Sequence, residues 1–169
     1  KKTWYFYDAS TMAALTQIDA VQVGAFSGGS ATVQVSEGQW GAVNKKGVIT
    51  LFNRVVWADE MRGGYALAKD TNGKFGVVDA AGKVVLDFTY SNGKHCSDSE
   101  ALYQLWTAQD SCEVVSVGWK NKKLVLPSDV KGQELTPLPD NYFAYTNAAG
   151  HSVIFDDLKS IELEGEAVF

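Results

Sequence analysis

The side chains that could perform covalent chemistry are few, because the chain has two histidines and two cysteines. A nucleophile with a general base could be assembled from Cys96 or Ser97 together with His151. His151, however, directly follows a turn-like sequence and is expected to face solvent. His95 lies beside Cys96 without a glycine-rich nucleophile elbow or a cysteine-enzyme signature. We therefore expect two surface histidines and no enzymatic activity.

Metal binding is not indicated either. The histidines and cysteines do not match a recognised zinc-ligand spacing. Residues 70–73 and 140–141 resemble fragments of calcium-binding loops, but neither is followed by the glutamate that such a loop needs at its twelfth position. Hairpin turns use the same residue types. The sequence therefore predicts turns at these places, and neither a metal nor a cofactor.

The two cysteines could form a disulfide. Cys96 and Cys112 are 16 residues apart and flank the apolar segment 101–106 and the turn-like residues 109–111. If this stretch is a hairpin, the two sulfur atoms could face each other across it. A disulfide that closes a loop of about 15 residues contributes roughly 3 kcal/mol in the chain-entropy model. It would require export from the cytoplasm, and the alternative is two separate buried thiols.

Aromatic side chains offer a different kind of chemistry, namely binding. Exposed aromatic faces on a β scaffold suit carbohydrate or peptide ligands. The alternative is that these rings fill gaps between structural units. The candidate ligand-binding residues are Trp57, Tyr90, Tyr103, Trp106 and Trp119.

A repeat identifies the elements that must position these residues. Residues 28–51 align with residues 63–86 without a gap, at an offset of 35 residues. Five of the eight identical positions are glycines, the residue whose placement most directly reflects backbone geometry. The chain therefore contains a duplicated structural unit.

Strands and tight turns account for the repeat. Residues 44–47 and 79–82 have Asn or Asp first and Gly fourth, which predicts type I turns whose glycine has a positive φ. Ala31, Val33 and Val35 alternate with polar residues, as in a strand. Residues 10–21 are the one stretch that could be helical, but their alignment with the repeat favours strand or irregular structure.

The unit contains the pattern aromatic-Gly-x-x-Asn/Asp-x-x-Gly, which occurs in five copies of varying clarity. The copies begin at Trp4, Trp40, Phe75, Val117 and Phe143. About 35 residues hold three or four strands, and one such unit cannot bury a face by itself. We therefore predict an all-β fold of about five β-hairpin or meander repeats, forming a single domain over residues 1–169.

The two ends of the sequence raise the question of ring closure. The first copy lacks the strand that precedes the aromatic residue elsewhere, and residues 164–169 resemble that strand. If they pair beside Trp4, a propeller-like ring closes and exposed sheet edges are removed. The alternative is a segment of a longer open β-repeat array. The ring is slightly favoured.

The motif itself resembles a known family. Residues 38–47 read Gly-Gln-Trp-Gly-Ala-Val-Asn-Lys-Lys-Gly, and residues 73–85 match equally well with Phe75 in place of the tryptophan. This resembles the bacterial WG repeat, also called the KWG repeat, whose pattern is Gly-Lys-Trp-Gly-x-Ile-Asp-x-x-Gly-Lys-Val-Val-Ile. The clear resemblance covers residues 26–86. It implies an all-β bacterial repeat, often secreted or envelope-associated, without catalytic residues or a defined ligand.

Composition narrows the function further. A net charge of −5 argues against nucleic-acid binding, which requires a basic face. No apolar run approaches the ~20 residues of a membrane helix. No secretory signal is visible, so we expect Lys1 to follow a processed or trimmed end. The sequence predicts an exported, non-enzymatic interaction scaffold for a protein or peptide. The alternatives are a carbohydrate-binding module of the cell envelope and, for the location, the cytoplasm.

Overall fold

The computed structural model describes residues 1–97, 100–118, 122–124, 126–156 and 160–163. These residues form five antiparallel sheets, and the one helical element among them is a 3-10 turn at Pro139–Asn141. The prediction of an all-β fold built from about five repeats is confirmed. No helix in this part of the chain is long and apolar enough to cross a membrane. The chain divides into two compact units, Lys1–Thr89 and Tyr90–Phe169.

Each sheet is a meander in which strands adjacent in sequence are adjacent in space. Sheet 1 contains β1 (Lys2–Tyr7) and β2 (Ala14–Ala20). Sheet 2 contains β3 (Gln22–Val23), β4 (Ser30–Ser36), β5 (Gln39–Asn44) and β6 (Ile49–Leu51). Sheet 3 contains β7 (Val55–Ala58), β8 (Tyr65–Asp70), β9 (Phe75–Asp79) and β10 (Val84–Tyr90). Sheet 4 contains β11 (Asn92–His95), β12 (Leu102–Ala108), β13 (Ser111–Ser116) and β14 (Lys122–Lys123). Sheet 5 contains β15 (Thr136–Pro137), β16 (Phe143–Thr146), β17 (Ser152–Phe155) and β18 (Ser160–Leu163).

The glycine pair of each clear repeat forms a two-residue hairpin turn. Gly28 and Gly29 have φ values of 62° and 86°, and Gly63 and Gly64 have 57° and 87°. A type I′ turn requires such left-handed values at both central positions. The two turns also touch, because a Cβ atom on Gly28 would lie 2.4 Å from the backbone nitrogen of Gly64. Both the backbone conformation and the contact between neighbouring sheets therefore require glycine.

The predicted Asx turns are present. The Oδ1 atom of Asn44 accepts hydrogen bonds from the backbone N–H groups of Lys46 and Val48, and Gly47 has a φ of 78°. The same arrangement recurs after Asp70, Asp79 and Asn147. These turns fix the register of the strands on either side of them.

The first copy makes its turn without glycine. Met12 has a φ of 56° and occupies the left-handed position. The Oδ1 atom of Asp8 accepts hydrogen bonds from the side chains and backbone N–H groups of Ser10 and Thr11. These bonds, led by that from the Ser10 hydroxyl, hold the pKa of Asp8 well below its usual range. The following residues form β2, so the prediction that residues 10–21 are strand or irregular is confirmed.

Apolar side chains are buried between neighbouring sheets within each unit. Between sheets 1 and 2 the core contains Ile18, Ala20, Ala31, Val33 and Val43. Between sheets 2 and 3 it contains Trp40, Ala42, Phe52, Val55, Ala58, Met61, Ala66, Ala68 and Val78. In the second unit it contains Cys96, Leu102, Val114, Val130, Leu135, Phe143, Tyr145, Val153 and Phe155. Stacking of this kind explains why β4 and β8 carry buried residues on both faces.

Strand register corrects the position of the fourth copy. Trp40 lies opposite Gln34, and the pair of β12 and β13 that matches it, with the same bulge after it, is Trp106 opposite Cys112. The copy in sheet 4 therefore begins at Cys112 and not at Val117. In sheet 4 the large aromatic residue, Trp106, lies on β12 and not on β13, so β13 lacks the aromatic residue by which the motif is recognised. The expected pairing of residues 164–169 with the Trp4 strand lies outside the described residues.

Candidate functional site

A row of three side chains crosses sheet 2 on the face that packs against sheet 3. Gln22 on β3 lies opposite Gln34 on β4, and Gln34 lies opposite Trp40 on β5. Thr32 and Ala42, two residues further along, form the next row on the same face. Ala42 and Trp40 belong to the core between the two sheets. The polar members of these rows lie at the margin of that core.

A cleft of about 380 Å³ lies at this margin, within the first unit. Sheet 2 contributes Gln22, Thr32, Gln34 and Trp40, and the facing wall consists of the segment from Val56 to Glu60. Among the described residues, the side chains of Gln22, Thr32 and Gln34 make no hydrogen bond. Thr32 is only 2% exposed, so its hydroxyl lines the cleft while the rest of the side chain is enclosed. The cleft therefore presents amide and hydroxyl groups that are available to a ligand.

The facing wall is acidic. Asp59 and Glu60 are both half-buried, and the Glu60 carboxylate is 3.2 Å from the Arg62 guanidinium. Arg62 is 9% exposed, and its Nε atom has no hydrogen-bond partner in the described part of the chain. The wall thus carries two carboxylates, of which Glu60 is paired with Arg62 and Asp59 accepts from the Glu60 N–H.

Gly24 brings the two walls together. Its backbone N–H donates to the carbonyl oxygen of Thr32. A Cβ atom at this position would lie 2.7 Å from Oγ1 of Thr32 and 3.3 Å from Cγ of Glu60. A side chain on Gly24 would therefore displace the Thr32 hydroxyl or the Glu60 side chain.

Sheet 4 has the equivalent rows, but its own chain covers them. Asn92, Trp106 and Cys112 match Gln22, Gln34 and Trp40 in register. The position that corresponds to Thr32 is Gln104, and the position that corresponds to Gly24 is Lys94. These correspondences follow from the strand pairing and the bulge that the two sheets share. The residues that cover these rows are 132–135, which lead into β15.

Side chains of sheet 4 hold this segment mainly by its backbone. Nε2 of Gln104 donates to the Gln133 carbonyl at 2.6 Å, and its Oε1 accepts from the Leu135 N–H at 3.0 Å. The indole N–H of Trp106 donates to the Gly132 carbonyl at 2.6 Å. Nζ of Lys94 donates to the Leu135 carbonyl at 2.8 Å and to the Glu134 carboxylate at 2.7 Å. Sheet 4 therefore recognises a short peptide segment of its own chain.

The candidate binding aromatics do not form one platform. Tyr103 is fully buried, and Tyr90 is buried with its hydroxyl donating to Glu113. Trp106 is half-buried and holds residues 132–135, so its role in the structure is internal. The rings of Tyr103, Tyr90 and Trp106 do not form an exposed surface, because they are buried or engaged within the sheets. Trp119 lies outside the described residues.

Trp57 alone of the described candidates borders the cleft, and it is 38% exposed. A bulge between Val55 and Trp57 lets Val55 and Ala58 both face sheet 2. Strand alternation then places the Trp57 ring on the opposite face of sheet 3, where it makes an edge contact with Phe75. Trp57 therefore connects the cleft wall with a second, aromatic face of sheet 3.

The two cysteines are free thiols in this structure. Cys96 pairs with Leu102 on one side of β12, whereas Cys112 lies opposite Trp106 on the other side. Cys112 also accepts a hydrogen bond from Nε2 of Gln104 on β12 at 3.2 Å. The two cysteines do not lie across one hairpin, because β12 lies between the segments that carry them, and the disulfide stays a prediction. Burial raises the pKa of the Cys96 thiol to about 11.

The two histidines among the catalytic candidates lie at different sheets, His95 in sheet 4 and His151 next to β17 of sheet 5. His151 follows an Asx turn and donates its backbone N–H to Asn147, and His95 lies on β11 opposite Tyr103. A buried thiol with a raised pKa is a weak nucleophile at neutral pH, which describes Cys96. In the described ranges, no three histidine, cysteine or acidic side chains are grouped to hold a metal ion.

A second hollow of about 320 Å³ borders sheet 1. Tyr5, Tyr7, Leu15 and Phe26 line it and are at least partly exposed, and Lys45 lies at its edge. The Phe26 ring makes an edge contact with Phe6 at 5.2 Å. This hollow is more apolar than the cleft, and its aromatic side chains were not singled out by the sequence.

Sequence reasoning also missed Thr32, Gln34, Asp59 and Glu60. The repeat alignment predicts the two strands that carry Gln34 and Trp40, but only the strand register shows that these residues lie opposite each other. A polar residue in a strand indicates a binding site only once it is known which sheet packs against that face of the strand. Aromatic content drew attention to rings that the structure uses for packing.

No protein-family model matches the chain, and no curated protein is significantly similar to it in sequence. Solved β-propeller structures resemble it. PorZ, a bacterial surface component of the type-IX secretion system of Porphyromonas gingivalis, aligns over 86% of this chain and 22% of its own, with a TM-score of 0.50 and 12% identity.

Two other propellers give similar values. BamB from Moraxella catarrhalis aligns over 95% of this chain and 54% of its own, with a TM-score of 0.47 and 14% identity. The computationally designed protein Ika4 aligns over 79% and 88%, with a TM-score of 0.47 and 12% identity. The chain thus spans about half the length of BamB. Its five sheets resemble propeller blades, and the fold is propeller-like.

Proposed function

We propose that this chain is a non-enzymatic interaction scaffold that binds a protein or peptide partner in the cleft between sheets 2 and 3. The observation that supports this most directly is the set of side chains without partners, Gln22, Thr32 and Gln34, which line an open cleft. Amide and hydroxyl groups both donate and accept hydrogen bonds, as recognition of a peptide backbone requires.

The proposal of a binding role without catalysis is supported by the state of the nucleophile candidates. The Cys96 thiol is buried, and its raised pKa keeps it protonated at neutral pH. We also propose an exported, envelope-associated location. The surface location stated for PorZ agrees with this, although a fold likeness at 12% identity supports the fold alone.

A carbohydrate ligand is the second candidate, and the polar rim around Trp40 favours it. Gln22, Gln34 and the two carboxylates on the facing wall could bind sugar hydroxyls beside an indole. The three-tryptophan platform expected from the sequence does not support this reading, because Trp106 is engaged inside sheet 4.

Selection of displayed random dodecapeptides on the immobilised chain tests the proposal, with cellohexaose and chitohexaose titrated in parallel by calorimetry. We expect peptides to be selected, and Gly24→Ala to weaken their binding because its Cβ atom displaces Thr32 or Glu60. Gly118→Ala is the matched control, because no atom lies within 4 Å of its added Cβ. Selection of no peptide would refute the proposal, and binding of a hexasaccharide in its place would establish the carbohydrate alternative.

A further inference from the structure

We infer that the cleft binds a short segment of a partner protein by its main chain, with a lysine or arginine side chain of that segment directed at Asp59 and Glu60. The inference rests on the proposed function and specifies the chemistry of the partner. It follows from a comparison of sheet 2 with sheet 4, where equivalent rows of side chains already hold a peptide segment.

The mode of main-chain binding is visible on sheet 4. Gln104 and Trp106 together contact two carbonyl groups and one N–H group of residues 132–135. Those contacts depend on the backbone of the segment and not on the identity of its side chains. The repeat therefore has a face that can recognise a peptide backbone.

The corresponding positions on sheet 2 are Thr32 and Gln34, and both line the open cleft. Neither side chain has a hydrogen-bond partner within the described residues, and Thr32 is only 2% exposed. The Thr32 hydroxyl lines the cleft, so a peptide N–H or carbonyl group bound there can form a hydrogen bond with it.

The charges indicate which side chain the segment carries. On sheet 4 the sheet supplies the cation, Lys94, and the bound segment supplies the anion, Glu134. On sheet 2 the position of Lys94 is occupied by Gly24, which has no side chain. The anions belong instead to the cleft wall, as Asp59 and Glu60. A basic residue of the bound segment would complement these carboxylates, one of which, Glu60, also contacts Arg62.

Apolar contacts fit the same side chain. Lysine and arginine have long methylene stems that pack on apolar surface while the charged group reaches polar partners. Trp40 and Val56 line the cleft beside the carboxylates and provide such a surface. An acidic segment would meet the like charges of Asp59 and Glu60 in this wall.

The test uses fluorescein-labelled octapeptides copied from residues 130–137 of this chain, measured by fluorescence anisotropy against the whole protein. The parent peptide has the sequence Val-Lys-Gly-Gln-Glu-Leu-Thr-Pro. The first variant is Glu134→Lys in the peptide, and the second has acetyl-lysine at the same position. We expect the lysine peptide to bind at least tenfold more tightly than the parent and the acetyl-lysine peptides.

Variants of the protein locate the binding. Thr32→Val and Gln34→Leu remove the polar groups that contact the main chain. Each is expected to lower the affinity for the lysine peptide about tenfold. Glu60→Gln is expected to reduce the preference for lysine over acetyl-lysine, because it removes a negative charge from the wall. Gly118→Ala is expected to leave all affinities unchanged. Thermal unfolding of each variant confirms that it is folded before binding is compared.

The outcomes separate the inference from the proposed function. Equal binding of the three peptides, or binding that is insensitive to Thr32→Val and Gln34→Leu, would overturn the inference. If random peptides are nevertheless selected by the chain, the proposed function survives that result. If no peptide of any sequence binds, the proposed function and the inference both fall.

Discussion

Sheets 2 and 4 have the same strand pairing and the same bulge, yet one leaves a cleft open and the other is covered by its own chain. On sheet 4, residues 132–135 lie over Gln104 and Trp106. On sheet 2, the matching positions Thr32 and Gln34 line the cleft. The difference shows that one blade-like unit can either hold a segment of its own chain or leave the same face uncovered.

The length of the following connection accounts for the difference. Three residues, 52–54, join β6 to β7, whereas twelve, 124–135, join β14 to β15. A three-residue connection cannot return across the sheet, so the face of sheet 2 stays accessible. The longer connection folds back, and its residues Val130 and Leu135 enter the core of the second unit.

Loss of Gly132 should have the largest effect on this comparison. Gly132 has a φ of 78°, and a Cβ atom there would lie 2.6 Å from the Gln109 carbonyl oxygen. We expect Gly132→Ala to lower the free energy of unfolding by about 4 kcal/mol, measured by urea denaturation, because backbone strain and crowding add. Gly150→Ala, with a φ of 84° and no atom within 4 Å, should cost about 1 kcal/mol. Equal losses would mean that crowding against Gln109 is unimportant.

The same substitution in the two sheets provides a direct contrast. Gln104→Leu leaves the Gln133 carbonyl and the Leu135 N–H without their partner and should lower the free energy of unfolding by about 3 kcal/mol. Gln34→Leu, at a position without such bonds, should change it by less than about 0.5 kcal/mol. Denaturation curves for the two variants check this, and hydrogen exchange at Leu135 should accelerate in Gln104→Leu alone.

An alkaline transition should report on the covered sheet. Burial raises the pKa of the Cys96 thiol from 9.0 to about 11. The neutral thiol is therefore favoured in the folded state, and this contribution is complete below pH 9 and is lost as the pH rises towards 11. Between pH 9 and pH 11 the free energy of unfolding should fall by about 2 kcal/mol more in this protein than in the Cys96→Ala variant. A difference between the two proteins that does not change with pH would show that the thiol is accessible to water.

Thr32→Val should have the smallest effect on stability. Valine has nearly the same volume, and the Thr32 hydroxyl has no partner to lose in the described part of the chain. We expect the free energy of unfolding, measured by thermal denaturation, to fall by less than about 0.5 kcal/mol or to rise. A loss above 1 kcal/mol would mean that the hydroxyl already serves the fold, and the contrast with Gln104 would then disappear.

The fold was predictable from the sequence because the repeat encodes it in glycines and Asx residues. The turns after Asn44 and Asp79 appear where they were predicted, since a left-handed glycine and a capping side chain act locally. The copy in sheet 4 was misplaced because its large side chain, Trp106, lies across the strand pair from the position where the motif carries its aromatic residue. The WG-repeat resemblance stays a prediction, since no family model matches.

The candidate site was much less predictable. Aromatic residues were singled out for their type, but Tyr103 is enclosed in its sheet and Trp106 is bound by residues 132–135. The cleft depends instead on Asp59 and Glu60 meeting Thr32 from a neighbouring sheet, a contact between separate repeats that no local pattern reports. The placement of the two cysteines was hard to predict for a similar reason, since they lie on either side of β12 and not across one hairpin.

The meeting of the two Gly-Gly turns bears on how such a protein could arise by gene duplication. Gly28 and Gly64 contact each other through backbone atoms, and the Gly63 N–H donates to the Ser27 hydroxyl at 2.9 Å, so the junction consists of backbone contacts and one hydrogen bond to a small side chain. A newly duplicated copy would fit its neighbour immediately, without compensating mutations at the junction. Its outward-facing rows could then diverge freely, one towards binding its own chain and another towards binding a partner.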